Sequence, residues 1–150
     1  MTDATIGDEQ ALRQTKVELA AALRWASRQG YQSGICNHFS VAVPGRADLM
    51  VINPEGYFWA EARVSDLVVA THGGQILSAN GHTVETTAFC IHAPIHRKLP
   101  QAVAVLHTHM HHATAICMRK DGTISPSYLS AMSFYQRIAY DRGFDGPALT

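Results

Sequence analysis

From residue 8 to residue 29 the chain reads DEQALRQTKVELAAALRWASRQ, with Leu12, Leu19, Leu23 and Ala26 at helical spacing and Gly30 just past the end. Apolar residues three, four and seven apart share one helix face, so this stretch predicts an amphipathic helix. HFSVAVP (38–44) instead alternates Phe39, Val41 and Val43, the period of a half-buried strand, and LMVIN (49–53) reads as its neighbour across a turn containing Gly45. After a PEG turn at 54–56, DLVVATHGGQILSANG (66–81) predicts a hairpin turning at Gly73 and Gly74. TTAFCIHAPIHRKL (86–99) sets Phe89, Ile91, Ile95 and Leu99 at helical spacing. It predicts a helix capped by a threonine, with Pro94 in its first turns or at a kink. QAVAVLHTH (101–109) is a strand by its valines, HHATAICMRK (111–120) a short helix, DGTISPS (121–127) a turn, and SFYQRIAYD (133–141) fits either a helix or a strand. Strands mixed with helices on 150 residues predict one domain, 1–150, an α/β sheet covered by helices.

Composition narrows the partners. Lysine plus arginine and aspartate plus glutamate balance at 12 each, which gives no attraction to nucleic acid or to an anionic membrane. A small molecule or another protein is the expected partner. No apolar run reaches the ~20 residues of a membrane span, and the polar start MTDATIGDEQ lacks the pattern of a signal peptide, so the cytoplasm is the expected location. Cys36, Cys90 and Cys117 are widely spaced without a C-x-x-C pair, and are read as small buried hydrophobes rather than a disulfide or zinc framework.

The chemistry gathers in AVLHTHMHHATA (103–114), where His107, His109, His111 and His112 follow a strand-like run. Strand residues two apart point the same way, so His107 and His109 project together and can hold a divalent ion from one face. A catalytic ion usually takes three protein ligands, so the pair is not a full set. His111 and His112 belong to the next helix start, where the helix dipole favours neutral over cationic histidine. His92 and His96 lie one helical turn apart without the glutamate of an H-E-x-x-H motif, and are read as structural.

Five ordered segments, NHFSVAVP, INPEG, SDLVV, TTAFCIHAPIH and AVLHTHMHHATA, make the chain from about residue 15 onward resemble the class II aldolase/adducin family. The resemblance implies a three-layer α/β/α fold with a central mixed, largely antiparallel sheet. It also implies a homo-oligomer, tetrameric in the family, and a divalent metal, usually zinc, held by three histidines. Two of these fall on His107 and His109. The third comes in the family from a later segment, so the chain is expected to be C-terminally truncated. Iron, manganese or cobalt suit a histidine pair as well.

Two departures follow from the same resemblance. The sugar-phosphate aldolases carry their acid/base glutamate four residues before the histidine that falls on His92, and here that residue is Ala88. Alanine moves no proton, which leaves Glu85 as the substitute catalytic candidate and Tyr128 as the residue near the family's second proton donor. The phosphate loops map onto Asn37 and His38, onto Glu55 and Gly56, and onto Thr86 and Thr87, the substrate-binding candidates. A helix start at the threonines suits an anion, but Glu55 puts a negative charge where phosphate would sit. The expected function is a metal-dependent lyase acting on a small hydroxy-carbonyl compound rather than a sugar phosphate. The alternatives are a non-catalytic adducin-like interaction domain and an inactive truncated homologue.

Overall fold

The computed structural model describes residues 8–143 and 146–149; the polar start, up to residue 7, lies outside them. Helix α1, Glu9–Arg28, begins where Asp8 accepts the backbone N–H groups of Gln10 and Ala11. It ends at Gly30, whose φ of +71° turns the chain out of the helix in a conformation glycine adopts without strain. Its apolar stripe buries Leu19, Leu23 and Ala26 completely or nearly so.

Strands β1, His38–Val43, and β2, Arg46–Ile52, follow, then β3, Val68–Thr71, and, after helix α2, Thr86–Lys98, strand β4, Ala104–His107. The sheet order is β3-β2-β1-β4, and every pairing among the described strands is antiparallel. The apolar run Leu49-Met50-Val51-Ile52 is explained by its place inside this sheet. Leu49 and Val51 join Leu19, Leu23, Phe39 and Trp59 on the α1 face, while Met50 and Ile52 meet Ala93 and Ala88 of α2 on the other. Two packed faces and the sheet between them make the three layers.

The hairpin at Gly73 and Gly74 forms, with Leu77 N–H donating to Val69 and Thr71 N–H to Gln75, although its second arm adds only a bridge at Ile76. Helix α2 differs from expectation in three ways. Its cap is Glu85 rather than a threonine; Pro94 lies well inside it, and the helix continues. The face turned to the sheet is Ala88, His92, Ala93 and His96, with Phe89, Ile91 and Ile95 only half-buried and Leu99 exposed.

The last third is thinly packed. Helix α3, His111–Cys117, and a single turn α4, Leu129–Met132, bury no residue, and SFYQRIAYD forms turns and irregular chain, neither helix nor strand. Cys36 and Cys117 are exposed and Cys90 half-buried, so the reading of all three as core residues is corrected. No described helix is long and apolar enough to cross a membrane.

Candidate functional site

Period two in β1 puts His38 and Ser40 on the face covered by α2. Register then does what sequence spacing does not reveal: His38 stands directly opposite His107 of β4, and Ser40 opposite Val105. His107 and His109 share a side, as the H-x-H spacing requires, although β4 ends at His107 and His109 lies just beyond it. Their Nε2 atoms are 3.1 Å apart. At the roughly 2.05 Å of a metal–imidazole bond, two nitrogens this close subtend about 100° at a shared ion, between octahedral and tetrahedral values. The pair therefore fits one edge of a divalent-ion site, and both rings are half-exposed and reachable from solvent. Among the described residues no three such side chains are placed to hold one ion together.

His109 is held from behind. Its backbone N–H donates to Asn37 Oδ1 at 2.9 Å, and Asn37 Nδ2 donates to the Ser33 carbonyl at 2.8 Å. The Asn37 carbonyl accepts from Trp59 Nε1 and Asn53 Nδ2, and Asn53 Oδ1 accepts the Phe39 N–H. Asn37 is wholly buried. In this structure it positions the loop carrying His109, with both ends of its amide engaged.

On the other side of His107 stand His38 and Glu85. His38 Nδ1 is 3.0 Å from His107 Nδ1, and His38 Nε2 is 3.0 Å from Glu85 Oε2. The latter contact is off the ring N–H direction, an ion-pair distance rather than an aligned hydrogen bond. The reason lies in α2: Glu85 caps the helix, with Oε1 accepting the Thr87 N–H and Oε2 the Ala88 N–H and the Thr87 hydroxyl. Two donors already occupy Oε2. Burial alone would raise the Glu85 pKa, but these hydrogen bonds and the neighbouring His38 outweigh it and hold the carboxyl below its usual range.

Deeper in, Ser40 Oγ lies 2.6 Å from His92 Nδ1 and 2.8 Å from His96 Nε2, and all three residues are buried. The direction of these bonds can be fixed. His96 Nδ1 is 3.1 Å from the Ala102 carbonyl, which only accepts, so this nitrogen carries the ring's proton. His96 Nε2 is then the acceptor for the Ser40 hydroxyl, whose oxygen accepts from His92 Nδ1–H. His92 Nε2 is left with a buried lone pair that has no partner among the described residues. Burial pushes the His92 pKa down to about 3, helped by His38, His107 and His96. Burial also pushes His38 down to about 4, with His107 adding to the shift and Glu85 opposing it. His107 is lowered by burial and by His109. Neutral imidazoles are the form that binds metal ions.

Of the remaining candidates, Thr87 alone joins this cluster, through Glu85. Glu55 is exposed and accepts the Thr83 hydroxyl at 3.0 Å; Gly56, at φ +77°, turns the chain beside it. Thr86 is exposed, and the Thr87 hydroxyl is committed to Glu85. A helix start at this point was expected to suit an anion; in the structure the Glu85 carboxylate takes the Thr87 and Ala88 N–H groups, two of the amides such an anion would use. Tyr128 is 70% exposed at the start of α4. His111 and His112 are exposed on α3. Sequence reading missed Ser40 as a bridge and His38 as a partner of His107. The alternation in NHFS was the available signal for the face these two residues share.

Compared with known proteins, residues 17–149 match the sequence model described as Class II Aldolase and Adducin N-terminal domain. A Pseudomonas aeruginosa protein named for class 2 aldolases is 32% identical over 127 residues, covering 81% of this chain and 49% of its own. The crystal structure of an aldolase II superfamily protein from Pseudomonas syringae superposes with a TM-score of 0.88 at 31% identity, over 99% of this chain and 60% of that one. L-fuculose 1-phosphate aldolase from Glaciozyma antarctica follows at 0.78 and 25%, over 91% and 55%. The chain spans about half the length of the curated relatives it matches. A match over this much of the chain, with the same fold, makes it a member of the class II aldolase and adducin N-terminal domain family.

Proposed function

We propose that the chain carries the ion-binding part of a divalent-metal-dependent lyase of class II aldolase type, acting on a small hydroxy-carbonyl compound rather than a sugar phosphate. The observation that carries this reading is the pair of Nε2 atoms on His107 and His109, 3.1 Å apart. Zinc suits the pair best, with iron, manganese or cobalt compatible. A third donor is assigned to the part of the longer relatives that this match does not span, to a neighbouring subunit of a homo-oligomer, or to solvent. Bound there, the ion supplies Lewis acidity toward a carbonyl or hydroxyl oxygen.

The chain's own groups define the rest. Asn37 fixes the backbone of His109, and the tilted rings of His38 and His107 meet through their Nδ1 atoms. Glu85 is assigned no proton transfer, because it is ionised and engaged by three donors in its own helix turn. Ala88, wholly buried against the sheet, moves none either. A substrate whose carbon–carbon bond breaks with loss of a carboxylate, or by retro-aldol cleavage without a protein carboxylate base, is consistent with this arrangement. The committed amides at the start of α2 and the carboxylate of Glu55 argue against a dianionic phosphate.

A second reading, a non-catalytic adducin-like interaction domain, is favoured by the same engagement of Glu85. One measurement separates the two: metal content of the purified protein beside the His107→Ala, His109→Ala double variant, with turnover of hydroxy-carbonyl compounds before and after chelation. The enzyme reading expects near-stoichiometric metal, lost in the variant, and chelator-sensitive turnover. Metal-free protein in both cases would leave the interaction domain standing.

A further inference from the structure

A ring nitrogen can give its lone pair to an ion only if its proton sits on the other nitrogen, so the site depends on what fixes the tautomer of His107. Glu85 Oε2 already receives the Ala88 N–H and the Thr87 hydroxyl. It can therefore act only as a negative acceptor toward its third neighbour, His38 Nε2, which stands at an ion-pair distance of 3.0 Å without an aligned hydrogen bond, so that its pull on the His38 proton is electrostatic. A neutral imidazole carries one proton. Drawn to Nε2 by the carboxylate, that proton leaves His38 Nδ1 with a lone pair, which meets His107 Nδ1 at 3.0 Å. His107 then carries its proton at Nδ1 and presents a bare Nε2 on the side where His109 Nε2 stands. The reverse order would set a lone pair of His38 against the carboxylate and put the His107 proton where an ion would bind.

We propose that Glu85 and His38 form a two-step relay that locks His107 in the tautomer offering Nε2 to a divalent ion, with His38 as a positioning residue. The inference rests on the reading of His107 and His109 as ion ligands. Histidine ligands commonly donate their second N–H to a carboxylate, carbonyl or water, and losing that partner weakens metal binding by roughly ten- to a hundredfold. In this chain an imidazole is interposed between the carboxylate and the ligand. Cross-strand register supplies it, because His38 and His107 are paired residues of β1 and β4.

The test is cobalt(II) affinity of the full chain, measured by competition with a chromophoric chelator, with thermal melts to verify folding. His38→Leu removes the acceptor and is expected to weaken binding by roughly ten- to a hundredfold. His38→Asn places an amide oxygen near the former Nδ1 and is expected to restore most of the affinity. In parallel, nitrogen-15 spectra of the histidine rings in metal-free protein are expected to show His107 protonated at Nδ1 and His38 at Nε2. Affinity of His38→Leu within about twofold of the parent overturns the relay while leaving the ion site intact. No cobalt binding by the parent defeats the ion-site reading instead, and the ring tautomers then judge the relay alone. His107 protonated at Nε2 overturns it, including where the variants fail to fold.

Discussion

Replacing Ser40 with alanine is expected to destabilise the fold by about 3 kcal/mol, a large effect for a single hydroxyl. Ser40 Oγ accepts from His92 Nδ1 at 2.6 Å and donates to His96 Nε2 at 2.8 Å, with none of the three exposed. Alanine would leave a buried N–H and a buried ring lone pair without partners, each worth about 1–3 kcal/mol. Moving the His96 proton to Nε2 brings no relief, because the Ala102 carbonyl would then lose its donor. For a domain of this size about 3 kcal/mol corresponds to a fall in Tm of roughly 6–12 °C. Thermal and urea melts near neutral pH, with chelator present, measure it. The matched control is Thr15→Ala, whose hydroxyl bonds back to the Ala11 carbonyl within α1 at 2.9 Å and should matter little, since alanine favours the helix. A Ser40→Ala protein that melts no lower than Thr15→Ala would refute the bridging role and the proton order deduced from it.

Two further outcomes are expected of the same metal-free protein. His92, pushed down to about 3 from an ordinary 6.5, stays neutral in the fold while the unfolded chain takes up a proton below pH 6.5. Stability is therefore complete above that pH and declines as the pH falls from 6.5 toward 3, by about 2 kcal/mol at pH 5 from this residue alone; urea midpoints that stay flat from pH 7 to pH 5 would contradict it. On the opposite sheet face, Leu106 is 60% exposed on β4, and among the described strands the outer edge of β4 is unpaired. Self-association in sedimentation velocity is expected, with Leu106→Lys shifting the chain toward monomer; a parent already monomeric at tens of micromolar would remove the basis for this.

The elements that packing dictates were legible in the sequence. Leu19, Leu23 and Ala26 face the core as their spacing says, and Leu49 to Ile52 form a strand covered on both sides. Helix α2 was legible as a helix but not in its orientation. Counting apolar positions selects Phe89, Ile91, Ile95 and Leu99, whereas the sheet receives Ala88, His92, Ala93 and His96. Burying two histidines is unfavourable until a partner is known, and that partner, Ser40, lies more than fifty residues earlier in the chain. The H-x-H pair could be read from local spacing because both rings leave the same stretch of chain. The groups behind it could not, since the pairing of His38 with His107 is a matter of register between strands 69 residues apart.

These two polar arrangements are coupled through β1. His38 and Ser40 are two residues apart on one face, so the strand that fixes the Ser40 bridge to α2 also fixes where His38 meets β4. Ser40 holds α2 at His92 and His96, and Glu85 caps the first turn of that same helix. A helix anchored at His92 and His96 has little freedom to withdraw its cap from His38, because the rigid rise of about 1.5 Å per residue transmits the anchor to the terminus. The face of the sheet under α2 is thus stabilised as one unit: each of these imidazoles has one bonded nitrogen that offsets part of its desolvation, and the Ser40 anchor sets the spacing on which the Glu85 and His38 contact depends.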